Sequence, residues 1–437
     1  MAQSTWLLNL FVLRRISLRL EQCIASLMFL SGLASSGISQ ELDKPVRPLT
    51  LQQAVERALV NYPALQIQRH AIEQAQGLKT TAALLPNPVL SYYKEDLDLG
   101  GQKGGEEIFS AALPLNFLWN RWSQVHTANT QVEAEQLTLV NVQRLIKFEA
   151  QKAFAECYYA GQNNGAWQKA ATIFRQAAST GTVRLADGDI SGYEQQRIAL
   201  EELRYQKAAT EAQVEFINSR RRLAFWLDPS QTETQFEPVG AFPGDSLAMT
   251  LENLLAHAIQ HRPDLEAART VLRGKQAELS AAKWQQVPAA SLTGGYKKEV
   301  SNFKGAVIQV NLGFPLFDRN QGEVRSARAA HEQQTTTTDL LEKQVALEVR
   351  QAYERYRRYR EQVERVFRTP ERAFDPERVL QIAQFSYAEG EMSLVELLDG
   401  VRAYGEAFQT RYDLLLKYQL SIFELEKAAA TYVWTQN

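Results

Sequence analysis

The segment AVIQVNLGF, residues 306–314, alternates with a period of two. Ala306, Ile308, Val310, Leu312 and Phe314 share one side, while Val307, Gln309, Asn311 and Gly313 share the other. Successive side chains of a strand point to opposite faces, so the pattern predicts a strand with one apolar and one polar side. Earlier in the chain, EIFSAALPL (residues 107–115) sets Phe109, Ala111, Leu113 and Leu115 on one side in the same way. A first strand precedes each, VLSYYKE from Val89 and ASLTGGYKK from Ala290, and loops rich in glycine and charge join the pairs. Each half of the chain therefore contributes one hairpin, at 89–115 and 289–314. An isolated hairpin is marginal in water, and four strands are too few to close a barrel. Strands of about ten residues with an apolar outer face suit a bilayer if other chains complete the closure.

The hairpins belong to a longer duplication. PLTLQQAVERALVNYPAL (48–65) matches AMTLENLLAHAIQHRPDL (248–265), through Thr50 with Thr250, Ala58 with Ala258 and Pro63 with Pro263. ALPLNFLWNR (112–121) matches GFPLFDRNQG (313–322), Ala153 matches Ala352, and Gly188 matches Gly390. Two repeats, 40–228 and 250–437, joined by a linker at 229–249, cover the chain after its first 39 residues. Each opens with an N-cap candidate, Thr50 or Thr250, then two short helices, a proline-marked break and the hairpin. Each then continues into a long helix pair, 120–227 and 320–432. An outgoing helix of about 67 residues spans about 100 Å and needs neighbours along its whole length. Alanine-rich runs such as VEAEQLTLVNVQ (132–143) suit close coiled-coil packing with one wet face. Pro370 and Pro376 interrupt the second long helix, and an irregular segment is predicted there, read as a tolerated break rather than a bend that shapes a pore.

Between the helices of each pair lies an acidic glycine turn, LADGDISGYEQQR near Gly188 and YAEGEMSLVELLDG near Gly390. Gly188 and Gly390 can adopt the left-handed conformation that ends a helix. Ser191 and Ser393 can cap the next helix, with Glu194 and Glu396 three residues on completing capping boxes.

At these residues the chain resembles the TolC-type outer-membrane efflux protein family. The LLPNP break and ALPLNFLWNR look most like its heavy-metal and resistance-nodulation-division branch. The resemblance implies a mainly α fold with a small β part: tandem-duplicated long α-helical hairpins form a trimeric α-barrel, and four strands per chain complete a 12-stranded transmembrane β-barrel. It implies the outer-membrane channel of a tripartite efflux system. That channel is a passive duct rather than an enzyme, placed in the outer membrane of a Gram-negative-type bacterium and reaching into the periplasm. Its implied partners are outer-membrane lipid, two further copies of itself, a periplasmic adaptor and an inner-membrane pump, with no cofactor. Carried over residue by residue, the adaptor-contacting tip is Leu185, Gly188, Asp189 and Ser191 with Ala388, Gly390, Glu391 and Ser393. The gate acids are Glu396, Asp399 and Glu194. Three-fold symmetry would make each carboxylate a ring that favours cations; the alternative for Glu194 and Glu396 is helix capping alone. Met392 stands where some relatives carry a basic residue, which puts a family-style salt-bridge lock in doubt.

Other features bound the reading. The net charge of -2 offers no basic surface for nucleic acid. Arg14, Arg15 and Arg19, an apolar run at 24–33 and small residues after it make residues 1–39 a signal peptide, cut between Ser36 and Gln40. Cys157 alone then remains, so no disulfide framework is expected. His257 and His261 are four apart but lack the Glu of a zinc protease and a third ligand, so no metal site is assigned. The tyrosines at 158–159 and 353–359 are assigned to helix packing or a barrel girdle. The alternative function is a periplasmic coiled-coil scaffold without a barrel, against which the alternating strands speak.

Overall fold

The computed structural model describes residues 47–230, 236–240, 242, 247, 249–367 and 376–431. The signal peptide, its cleavage zone and Pro370 lie outside the described residues. The chain divides into a small unit, described only at 47–48 and 236–237, where β1 (Arg47–Leu49) meets β6 (Phe236–Pro238), and a large unit that holds the rest.

In the large unit, α1 (Leu51–Asn61) and α5 (Leu251–His261) begin as the two threonines require. Thr50 Oγ1 accepts the Gln53 N–H at 3.3 Å, and Thr250 Oγ1 accepts the Asn253 N–H at 3.4 Å. Pro63 and Pro263 open α2 (Pro63–Ala83) and α6 (Pro263–Trp284), at positions whose N–H groups would be orphans anyway.

Four strands then form one antiparallel sheet in the order β2 (Val89–Lys94), β5 (Glu106–Pro114), β7 (Ala289–Glu299), β8 (Lys304–Gly313). A minor hairpin of β3 (Leu97–Leu99) and β4 (Gln102–Gly104) decorates the first loop. The register joins the apolar sides of the two repeats into one face. Tyr92, Phe109, Tyr296 and Ala306 lie in one cross-strand row, and Leu90, Ala111, Gly294 and Ile308 in the next. That face is bare: Leu90 is 79%, Ile308 80% and Phe314 69% exposed. The opposite face carries Asn311 Nδ2 donating to Ser291 Oγ at 3.3 Å, and Lys297 between Glu106 and Glu299. Gly295 lies where a Cβ would fall 2.5 Å from Phe109 O, so only glycine fits between β5 and β7. Among the described residues the outer edges of β2 and β8 have no partner strand.

After the sheet, α3 runs unbroken from Phe117–Asp187 and returns as α4 (Gly192–Leu227). The second repeat gives α7 (Gln321–Phe367), α8 (Pro376–Ala388) and the returning α9 (Leu394–Ala429). Its outgoing helix is thus described as two pieces, with Pro376 as the first residue of the second piece rather than inside it, where proline is tolerated.

The core is strung along the helices. Near the turns, Phe174, Ile198, Leu397, Val401 and Tyr404 share one buried cluster of α3, α4, α8 and α9. Near the sheet-proximal part, Phe148, Leu265, Val345, Val349, Ile422 and Phe423 form another. There Arg262, 4% exposed, donates to Asp264 at 2.5 and 2.9 Å and to Glu348 at 2.5 Å. The last carbonyls of α9, which have no intrahelical donors, are met by cationic side chains: Arg144 reaches Lys427 O, and Arg262 Nη1 reaches Ala428 O at 3.5 Å. His257 Nδ1 lies 3.1 Å from Ala429 O and its ring stacks on His261. The tyrosines of both runs serve helix packing: Tyr158 and Tyr159 enclose Phe242 of the linker, and Tyr356 stacks on Tyr418.

Candidate functional site

The two acidic turns are built alike. Gly188 has φ +81° and Gly390 φ +77°, a left-handed backbone that side chains rarely adopt. In the first turn the Asp189 N–H donates to Arg184 O at 2.8 Å and the Gly188 N–H to Leu185 O at 3.2 Å. In the second, the Glu391 N–H donates to Ser386 O at 2.9 Å and the Gly390 N–H to Tyr387 O at 3.2 Å. Both are complete Schellman endings.

The next helix starts within the same few residues. The Ser191 N–H donates to Glu194 Oε2 at 2.8 Å while the Glu194 N–H donates to Ser191 Oγ at 3.2 Å. Ser393 and Glu396 repeat this at 2.9 and 3.3 Å. Hydrogen bonds from the serine backbone and hydroxyl hold both carboxyl groups below the usual glutamate range. Glu194 and Glu396 therefore act as caps here. Asp399 lies on the exposed side of α9, one turn on from Glu396, opposite buried Leu394, Leu397, Leu398 and Val401.

Arg184 links the turns. Arg184 Nη2, from the last turn of α3, donates to Tyr387 O at 3.2 Å, and its guanidinium lies 5.1 Å from the centroid of the Tyr387 ring. The carbonyl it reaches also accepts the Gly390 N–H, so the arginine grips the second Schellman motif directly. Sequence reading missed this residue; the only signal was a base in the last helical turn, which suits a helix dipole anywhere. Met392 is half-buried against the core cluster. Leu185, Asp189 and Glu391 are exposed around the glycines.

Away from the turns, the four helices α2, α3, α6 and α7 together line a cleft of about 840 Å³. Its wall is mostly Ala and Gln, with Glu135, Glu278, Glu323 and Lys275. No group of three or more His, Cys, Asp or Glu that could hold a metal occurs among the described residues.

Residues 254–431 match the family model described as outer membrane efflux protein. The chain is 25% identical over 284 residues to the cobalt-zinc-cadmium resistance protein CzcC of Cupriavidus metallidurans; the match covers 64% of this chain and 66% of that protein. Among solved structures it is similar to the Campylobacter jejuni CmeC outer membrane channel, with a TM-score of 0.73, 16% identity, and 88% of this chain and 86% of that one covered. It is also similar to the outer membrane protein VceC of Vibrio cholerae, with a TM-score of 0.69, 16% identity, and coverage of 87% and 96%. The whole long-helix and hairpin fold is thus that of the outer-membrane channels.

Proposed function

We propose that this protein, whose residues 254–431 match the outer membrane efflux protein family model and whose fold is shared with outer-membrane channels, is the exit duct of a tripartite efflux system. The observation that carries this is the sheet. It presents one continuous bare apolar face, a polar reverse and two edges that no other described strand pairs with. In lipid every edge must be paired, and four strands cannot close on themselves, so three copies supply twelve strands. Lipid covers the apolar face. The long helices extend the duct into the periplasm, where the paired turns meet the tip of an adaptor linked to an inner-membrane pump.

Three-fold symmetry converts Asp399 and Glu396 into stacked acidic rings, with Glu194 on the neighbouring turn. Glu194 and Glu396 are engaged as caps, which leaves Asp399 as the carboxylate best placed to act on passing ions. The similarity to CzcC makes metal-ion efflux the cargo class to test first. The protein extracted in detergent should migrate as a trimer that heat converts to monomer, and should form cation-selective pores in planar bilayers. A water-soluble monomer, stable without detergent, would overturn the proposal.

A further inference from the structure

On the apolar face of the sheet every charge lies in one row. The register sets Lys94 beside Glu107, Glu107 beside Lys298 and Lys298 beside Lys304, one residue from each strand. These four stand two residues beyond Tyr92, Phe109, Tyr296 and Ala306, so they share the side of that row and of Leu90 and Ile308. From there to the helix-proximal ends of the strands this face carries no charge. Three lysines and one glutamate give the row a net charge of +2 per chain.

That charge is not balanced within the chain. Lys94 Nζ lies 3.5 Å from Glu107, which occupies the single acid of the row. Lys298 and Lys304 are exposed, and among the described residues neither has an ion-pair partner. They sit directly opposite each other on β7 and β8, where Cβ atoms are about 4.5 to 5.5 Å apart and like charges destabilise a ladder. The reverse face meets the same problem with its own acids: Lys297, next to Lys298 in sequence, is held between Glu106 and Glu299. Two facing lysines without an acid call for an anion from outside the chain.

Depth identifies the anion. Both long outgoing helices leave the sheet at its other end, after β5 and after β8, so the lysine row marks the rim farthest from them. From Ala306 to Phe314 the apolar side takes eight residue steps. Those steps cover about 27 Å along the strand, or about 20 Å of depth at a tilt of about 40°, close to an apolar band of about 25 Å. Tyrosines mark the level at which acyl chains give way to headgroups. The lysines stand about 7 Å farther along the strands than Tyr92 and Tyr296, at headgroup depth.

We infer that Lys298 and Lys304 form a binding site for the phosphate groups of lipid headgroups in the outer leaflet of the membrane. Each ammonium is a compact charge on a flexible stem, so the two can close on one phosphate or hold two neighbouring ones. The bound phosphate relieves the repulsion across the ladder, and the aromatic row beneath covers the start of the acyl chains. This rests on the membrane-spanning reading above and adds to it a specific lipid contact at the outer rim.

The test uses the full-length protein in detergent, with bound lipid counted by native mass spectrometry. The probes are bisphosphorylated lipid A and the same lipid stripped of its phosphates. A lysine near an anionic surface contributes about fivefold in affinity, so Lys298→Gln with Lys304→Gln should weaken binding of the phosphorylated probe about twenty-fivefold. The stripped probe should bind wild type and double variant alike. Lys297→Gln, on the reverse face, should leave binding of the phosphorylated probe unchanged. Equal binding of that probe by wild type and double variant would overturn the site, and so would an equal loss in Lys297→Gln, which would reduce the effect to net charge. Displacement of the lipid by an equimolar amount of inorganic phosphate would assign the lysines to a free anion and overturn the lipid contact. Any of these failures in a detergent-extracted trimer leaves the duct standing, whereas a water-soluble monomer would overturn both.

Discussion

Replacing Arg262 by methionine tests how the returning helix of the second repeat is held at its end. Arg262 is 4% exposed and contacts Asp264, Glu348 and Ala428 O. Breaking a buried pair from one side costs about 3 to 5 kcal/mol, because the remaining charge stays uncompensated. Two features set the lower end. The Glu348 side chain is 52% exposed and returns to water, and Arg144 remains 3.4 Å from Asp264. The expected loss is thus about 3 kcal/mol, felt where α9 ends. Each 1.4 kcal/mol is tenfold, so amides of the last turn of α9 should exchange with solvent about a hundred times faster. Hydrogen exchange read by mass spectrometry on peptides covering 420–431 measures this. A change below about threefold, with exchange elsewhere unaltered, would refute the reasoning, since no buried charge would then have been exposed. Adding Asp264→Leu should restore most of the protection, because an apolar pair of similar volume removes the orphan. The pH dependence has a definite sign. Burial pushes Asp264 up, but hydrogen bonds and charge from Arg262, with Arg144 beside it, hold its carboxyl below the usual range. A depressed folded value contributes stability above the unfolded value of about 3.9 that is lost as pH falls through the folded value. Wild-type and Arg262→Met exchange should therefore converge in acid.

Four further outcomes are expected. Asp399→Asn combined with Glu396→Gln should move the reversal potential of bilayer pores toward zero under a salt gradient; an unchanged potential would remove the acidic ring. Ser191→Ala or Ser393→Ala should each destabilise the helix that follows by about 1 kcal/mol, seen as faster exchange confined to the turn; and because the cap carboxylates titrate below their usual range, the wild-type protection should fade as pH drops through that lowered value. Arg184→Ala removes the arginine's hydrogen bond to Tyr387 O and should raise exchange in both turns together, whereas a change in one turn alone would show that the contact does not couple them. Gly405→Leu places side-chain atoms where a Cβ already lies 3.0 Å from the Trp167 ring, and should cost about 1 to 3 kcal/mol through overpacking of α3 against α9, measured as a lower melting temperature.

The repeats, hairpins and capped turns were legible because each depends on residues close together in the chain. A period of two needs only residues 306–314, and a Schellman ending with a capping box needs only the residues around one glycine. The first helix pair, expected over 120–227, is described as Phe117–Asp187 and Gly192–Leu227. What stayed hidden depends on which helices lie side by side. Nothing local pairs Arg184 with Tyr387, or Arg144 with Lys427 O. The two readings of Glu194 and Glu396 also separate only in space, since a cap and a pore carboxylate use the same residue at the same position.

The unpaired edges of β2 and β8 carry a cost before any duct exists. A chain on its own holds two open ladders of backbone donors and acceptors beside a bare greasy surface, the combination that templates aggregation. If three copies close the sheet as proposed, they must find one another quickly or be shielded in transit. The rate of synthesis that a cell can tolerate would then be set by how fast subunits meet, and overproduction should yield aggregate well before the membrane is saturated with assembled protein.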